Sequence, residues 1–284
     1  MNFLMRINAI VQMMCLVVVA HAGELAAEPS ADLVSIDGAI TEIVYALGAS
    51  ERLLAVDTTS RFPEQAQDLP QVGYMRQLSA EGILSLRPTL VLAGMDAGPE
   101  TVFEQLTAAG IRIVRIEAAD SLNGVISKVE QVAQALDRKA EGQALVADIR
   151  TRTQAVIARI LKNDAAKTLF LLGASGRGVM AAGDHTKAQA LLDMLSAKNV
   201  FTHDGYKPIS AEGAVQAAPD IVLVGHTGPA DISALEQTLA MTPASQSGRV
   251  YAIDVGLALG FGPRLADALE AISLLIYPPN MAAE

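Results

Sequence analysis

Cysteine is almost missing from this chain of 284 residues, and tryptophan is absent. The one cysteine, Cys15, lies within the first 22 residues. The rest of the chain therefore forms no internal disulfide and must hold together by its hydrophobic core alone. Aromatic side chains are also scarce, with five tyrosines and six phenylalanines. A tyrosine in a loop is consequently a candidate for a functional role.

Positive charge is in short supply as well. The chain has 21 Lys and Arg residues against 31 Asp and Glu residues, a formal net charge of −10. An acidic protein is repelled by phosphate backbones and by anionic lipid surfaces. The composition therefore argues against nucleic acid as a partner. After residue 22 we find no apolar run of the roughly 20 residues that a membrane-spanning helix needs.

The first 22 residues, MNFLMRINAIVQMMCLVVVAHA, have the pattern of a secretory signal peptide. Arg6 precedes an apolar run from residue 9 to 20, and Ala20 and Ala22 offer the small side chains that a signal peptidase needs. The run is too short for a membrane anchor, and Cys15 lies inside it rather than in a lipoprotein motif. We expect cleavage after Ala22, with Ala27 as a less favoured site. We therefore expect a soluble, periplasmic mature chain.

Motifs of catalysis are weak in this sequence. The histidines after residue 22 are His185, His203 and His226, and no two of them share the spacing of metal ligands on one helix. The segment GASGRG at 173–178 matches neither a phosphate-binding loop nor the dinucleotide fingerprint, and Ser175 lacks the flanks of a nucleophile elbow. We therefore predict that the protein is not an enzyme. An exported α/β enzyme is the disfavoured alternative.

Short β-rich runs alternate with helical patterns along most of the chain, which predicts an α/β fold with mostly parallel sheets. Between 121 and 163 the alternation stops. Apolar residues there recur at helical spacing, and this predicts a long helix over about 138–162. An ordinary helical pair within a single domain is the alternative. The alternation then resumes.

One stretch of sequence occurs twice. GYMRQLSAEG at 73–82 returns as GYKPISAEG at 205–213, and the residues that follow, 80–94 and 211–225, also match. The repeat predicts two similar α/β lobes joined by one long α-helix, with a ligand cleft between the lobes. The predicted organisation is a signal peptide (1–22), an N-terminal lobe (23–137), an inter-lobe helix (138–163) and a C-terminal lobe (164–284).

Tyr74 and Arg76 lie in the first copy of the repeat, in a loop between Pro70 and the helix predicted to begin near Ala80. Open α/β sheets bind ligands at such loops, beyond the carboxyl ends of their strands. A phenolate suits Fe(III) and serves as an axial ligand of haem. A guanidinium nearby favours the ionised phenol or pairs with a carboxylate of the ligand. The alternative role of a loop tyrosine is packing or hydrogen bonding.

Several segments resemble the periplasmic haemin-binding proteins of haem-uptake ABC transporters, a group related to cobalamin- and siderophore-binding proteins. They are LVSIDGAITEIVYALGASERLLAVD, VGYMRQLSAEGILSLRPTLVLA, GYKPISAEGAVQAAPDIVLV, GRVYAID and LGFGPR. The resemblance covers nearly all of the chain after the signal peptide, and the Gly-Tyr-Met-Arg stretch is its most specific part. It implies a carrier of ferric haem with a role in iron acquisition. The implied partners are an inner-membrane ABC permease dimer and an outer-membrane haem receptor system.

The resemblance also implies roles for individual residues. Tyr74 would be the haem iron ligand, and Arg76 would meet a haem propionate. His185 is a candidate ligand for a second haem, and Tyr206, the repeat partner of Tyr74, is a candidate for lining the cleft. Glu81 and Glu212, one per lobe, would dock with arginines of the permease, although a helix N-terminus alone would also favour these carboxylates. A siderophore or cobalamin carrier is the alternative within the same class.

Overall fold

The computed structural model describes residues 31–161, 164–174, 178–228 and 233–278, and within these ranges the chain forms two α/β lobes. The predicted signal peptide lies outside the described residues. The strands are β1 (Leu33–Ile36), β2 (Leu53–Val56), β3 (Leu90–Gly94), β4 (Arg112–Ile116), β5 (Lys167–Ala174), β6 (Gly178–Ala182), β7 (Lys198–Asn199), β8 (Tyr206–Pro208), β9 (Ile221–His226) and β10 (Val250–Asp254). The α-helices are α1 (Gly38–Ala46), α2 (Ala80–Ser85), α3 (Glu100–Ala108), α4 (Leu122–Ala135), α5 (Lys139–Ile160), α6 (Lys187–Met194), α7 (Ala211–Ala217), α8 (Glu236–Leu239), α9 (Pro243–Gln246), α10 (Val255–Leu259) and α11 (Leu265–Ile276). In this part of the chain, no helix combines the length and the apolar character needed to cross a membrane.

The sheet of the first lobe has the strand order β2-β1-β3-β4, and all of its neighbouring strands are parallel. Its two central strands, β1 and β3, are buried along their whole length. Strands that are covered on both faces have nearly continuous apolar sequences, and LVSI and LVLAG fit that rule. The predicted α/β class is confirmed for this lobe.

The sheet of the second lobe contains the same parallel arrangement, in the order β7-β5-β9-β10. It also carries an addition that the first lobe lacks, because β6 and β8 join antiparallel beside the carboxyl-terminal half of β5. The segment GASGRG covers the end of β5 and the start of β6, although its residues 175–177 lie outside the described ranges. The predicted mostly parallel sheets are confirmed.

The repeated segments form the same unit in both lobes, a short helix followed by a central strand: α2 and β3 in the first, α7 and β9 in the second. Their upstream parts differ. The first Gly-Tyr belongs to a loop, whereas the second Gly-Tyr leads into β8, which pairs with β6. The two tyrosines therefore stand in different surroundings despite the shared motif.

A long helix joins the lobes, as predicted, although it begins at Lys139 and ends at Ile160. Its 22 residues correspond to a length of about 33 Å. One cluster of buried apolar side chains contains residues from both sheets and from α4, α5 and α11. The opposite face of each sheet has a cluster of its own. The lobe boundaries at 137 and 164 stay a prediction.

Candidate functional site

A cleft lies between the lobes, at the carboxyl ends of the parallel strands of both sheets. Two adjoining cavities form it, with volumes of about 680 Å³ and 540 Å³. The residues that follow β1, β2 and β10 line it, as does the loop that contains Tyr74. This is the position at which open α/β sheets bind their ligands.

Tyr74 lines both cavities, and its residue surface is 43% exposed. Gly73 precedes it with a φ of 97°, a left-handed conformation that favours glycine. The Gly73 carbonyl accepts a hydrogen bond from the Thr58 amide at 3.0 Å, and the Gln77 amide donates to the Tyr74 carbonyl at 2.8 Å. The backbone of this loop is thereby fixed while the phenol remains open to the cleft.

Arg76 lines the second cavity together with Tyr74. Its guanidinium pairs with Asp96, with Nη2 at 3.0 Å from Oδ2. Both side chains of the pair are more than half exposed, so the ion pair is weak, worth about 0–1 kcal/mol. A carboxylate of a ligand could therefore compete for Arg76 at low cost.

His185 also lines the second cavity, in a loop between β6 and α6. Its side chain is 85% exposed, and Nδ1 lies 2.9 Å from Oδ1 of Asp204. With Nδ1 beside the carboxylate, Nε2 is left for a metal, as in metal-ligating histidines. A pair this exposed orients the ring only weakly. The loop adopts a φ of 57° at His185.

Tyr206 completes the set of predicted cleft residues that the structure brings together around the second cavity. It packs partly buried at the start of β8. Burial raises the pKa of its phenol, and hydrogen bonds with the Ala188 backbone and the Thr186 side chain only partly oppose this effect. The neutral phenol is consequently favoured at Tyr206.

Glu81 and Glu212 lie elsewhere. Each occupies the first turn of its helix, α2 and α7, with its side chain exposed, and neither lines the two cavities. The negative charge of each is favoured by the helix dipole.

A polar contact that the sequence did not predict crosses the cleft. Arg264 of the second lobe forms two hydrogen bonds with Glu42 of the first, at 2.9 Å from Nε and 2.5 Å from Nη2. The guanidinium also stacks on Phe62, with Cζ 3.7 Å from the ring centroid. Burial raises the pKa of Glu42, and the hydrogen bond from Arg264 opposes that change. Arg264 ends the segment LGFGPR, and nothing in the sequence indicates its partner 222 residues away.

A buried hydrogen-bond network holds the first-lobe side of the cleft. The carboxylate of Asp57 accepts hydrogen bonds from the Ser60 hydroxyl at 2.9 Å and the Asp37 amide at 3.0 Å. Asp37 caps α1 with a φ of 114°, a strained conformation for a residue with a side chain. The network therefore fixes the start of α1, which lines the second cavity.

The described residues of the cleft do not form a metal-binding cluster. Among the residues that the structure describes, no group of three or more His, Cys, Asp or Glu side chains could hold a metal ion. What the cleft offers is one exposed phenol, one oriented imidazole and several guanidinium groups. This set suits a planar ligand that brings its own metal and carboxylates.

Comparison with known proteins agrees with this architecture. A family model described as periplasmic binding protein matches residues 33–255. The solved periplasmic heme-binding protein RhuT from Roseiflexus sp. RS-1 is 33% identical, with a TM-score of 0.82, and the match covers 87% of this chain and 98% of that one. The solved heme-binding protein BhuT, in complex with two hemes, is 34% identical, with a TM-score of 0.79 over 86% of this chain and 97% of that one. A vitamin B12-binding protein of Vibrio parahaemolyticus is 24% identical over 81% of this chain and 83% of its own length.

Proposed function

We propose, from the premise that this chain belongs to the periplasmic binding protein family, that it carries ferric haem in the cleft between its lobes. It takes up haem in the periplasm and delivers it to an inner-membrane ABC permease, and it is not an enzyme. The similarity to the two heme-binding proteins, at 33% and 34% identity over nearly the whole chain, supports haem as the ligand.

The observation that carries the proposal is the position of Tyr74. Its phenol is exposed at the junction of the two cavities, where it can approach the iron of a planar ligand from the cleft. A phenolate is an oxygen ligand that Fe(III) accepts. In the proposed complex, Tyr74 binds the iron, Arg76 meets a propionate, and Tyr206 lines the cleft.

Tyr74 and Tyr206 provide a matched test, because both follow a glycine in the repeat. We expect Tyr74→Phe to weaken haemin binding at least about 100-fold, equivalent to about 2.7 kcal/mol, and to remove the spectrum of tyrosinate-bound ferric haem. Tyr206→Phe should keep that spectrum, since partial burial raises the pKa of the Tyr206 phenol. The measurement is a titration of each variant with haemin, followed by visible absorption. A wild-type spectrum and affinity in Tyr74→Phe would show that another residue ligates the iron.

Cobalamin is a second candidate ligand, because a vitamin B12-binding protein is among the relatives. A cobalamin carrier needs no anionic oxygen ligand, and Tyr74 would then have no role in binding. Calorimetric titration with cyanocobalamin separates the two candidates. We expect no measurable heat of binding with cyanocobalamin and tight binding of haemin.

A further inference from the structure

Most of the positive charges that line the cleft are already paired with carboxylates of the protein. Among the residues that the structure describes, four cationic side chains line the two cavities. Three of them pair with a carboxylate of the chain: Arg76 with Asp96 at 3.0 Å, Lys187 with Asp120 at 3.8 Å and Arg264 with Glu42 at 2.9 Å. A ligand with two carboxylates must therefore either displace a protein carboxylate from its cation or pair with the fourth cation.

Arg61 is that fourth cation. Within the described ranges no carboxylate pairs with its guanidinium, and Nη1 donates instead to the backbone carbonyl of Thr227 in the opposite lobe. A carbonyl is neutral, so this hydrogen bond leaves the positive charge of Arg61 uncancelled. A guanidinium has five N–H donors, and a single contact leaves most of them for a ligand.

The backbone around Arg61 is held in place. Its amide donates to the Thr59 carbonyl at 3.0 Å, and its own carbonyl accepts from Nε2 of Gln67 at 2.9 Å. Arg61, Gln67 and Tyr74 all line the larger cavity. The free charge thus stands in the same cavity as the proposed iron ligand, and little reorganisation is needed to use it.

The acidic side chains of the cleft make the unpaired charge of Arg61 more important for an anionic ligand. In the described part of the chain, the lining also contains five acidic side chains, one more than the cations: Asp37, Glu42, Asp96, Asp120 and Asp254. Apart from the neighbourhood of Arg61, the lining therefore offers an anionic ligand no net attraction.

We infer that Arg61 is the anchor for a carboxylate of the ligand, at a subsite in the larger cavity. This inference rests on the proposed function, under which the carboxylate is a propionate of haem. The subsite is distinct from the one assigned to Arg76, which lines the other cavity and would have to release Asp96. A propionate at Arg61 forms charge-assisted hydrogen bonds without breaking an ion pair.

The test compares ferric haem with its dimethyl ester, which keeps the iron and macrocycle but has no carboxylate. We expect Arg61→Gln to weaken binding of haem about tenfold, equivalent to about 1.4 kcal/mol. Binding of the dimethyl ester, measured in the same detergent, should be unchanged. Arg61→Lys should retain most of the affinity for haem because it keeps the charge. Arg150→Gln is the control, since Arg150 is exposed on α5 and outside both cavities.

Two results would overturn the inference. An equal loss for haem and for the ester would mean that Arg61 acts by holding Thr227 and the opposite lobe. No loss for either ligand would mean that Arg61 has no part in binding. Both results leave the proposed function standing if the wild-type chain binds haem through Tyr74. Failure of the wild-type chain to bind haem would refute the proposed function itself.

Discussion

Tyr74 and Tyr206 show how two residues of one motif acquire different properties. Both follow a glycine with a positive φ, at Gly73 and Gly205. Tyr74 is exposed at the junction of the cavities, whereas Tyr206 is partly buried and its pKa is raised by that burial. A phenol must lose its proton to bind iron as a phenolate, and burial opposes this ionisation. At the scale of single residues, therefore, the environment makes Tyr74 the better candidate for the iron.

The pair of His185 and Asp204 leads to a prediction about a second haem. If Nε2 of His185 binds a second iron, the chain should take up two haems, as the similar protein BhuT does in its two-heme complex. We expect His185→Ala to abolish the second binding step and leave the first unchanged. Asp204→Asn should weaken the second step by a smaller factor, because it removes only the carboxylate that orients the ring.

Stoichiometry measured by haemin titration and by native mass spectrometry checks this prediction. A stoichiometry of one haem per chain, unaffected by His185→Ala, would exclude His185 as a ligand and would leave its bond to Asp204 as a surface contact.

At the scale of elements, the repeat is a helix and a central strand whose surroundings diverge. The strands β3 and β9 occupy equivalent central positions, and the helices α2 and α7 each begin with an acidic residue in the first turn. The antiparallel pair of β6 and β8 occurs in the second lobe alone among the described strands, and it places Tyr206 of the second Gly-Tyr in an edge strand. The first turns of α2 and α7 both carry an exposed glutamate, Glu81 and Glu212.

Glu81 and Glu212 on these helices are proposed to dock with the permease. We expect the double substitution Glu81→Arg with Glu212→Arg to abolish haem delivery to the reconstituted transporter, while haemin affinity stays at the wild-type value. Loss of the favourable helix-dipole contacts should cost about 0.3–1 kcal/mol of stability per site.

The matched control is Glu104→Arg with Glu236→Arg, which reverses one exposed carboxylate in each lobe at other positions. Delivery should survive in this control. If the double variant at Glu81 and Glu212 still delivers haem, the two glutamates serve only their helices.

At the scale of the whole molecule, the connection between the lobes is stiff. The helix α5 joins them, and the apolar cluster around α4, α5 and α11 belongs to both. Buried Lys128 on α4 adds a hydrogen bond of 3.0 Å to the carbonyl of Phe261 in the second lobe. Opening the cleft would break this shared packing, which flexible hinge strands would not require.

We therefore expect little change in overall dimensions when haem binds. X-ray scattering curves of the protein with and without haem should give the same radius of gyration within experimental error, because bending a continuous helix breaks backbone hydrogen bonds. A clear compaction on binding would contradict the rigid connection. The variant Tyr74→Phe, mixed with the same amount of haem, controls for non-specific association.

The sequence by itself determined the α/β class, the two related lobes, the long connecting helix and the resemblance that the family match confirms. These features depend on hydrophobic periodicity and on a repeated motif, which are local properties of the chain. The sequence also predicted four ligand-binding residues that the fold brings to one cleft: Tyr74, Arg76, His185 and Tyr206.

Only the tertiary structure decided which charges of the cleft are free. The partners of Arg264 and Arg61 come from the opposite lobe, 222 and 166 residues away. No pattern in the sequence encodes such pairs, because they depend on how the two lobes dock. The added strands β6 and β8 were missed for a similar reason, since the edge strand β8 is only three residues long and is stabilised by pairing with β6 rather than by its own sequence.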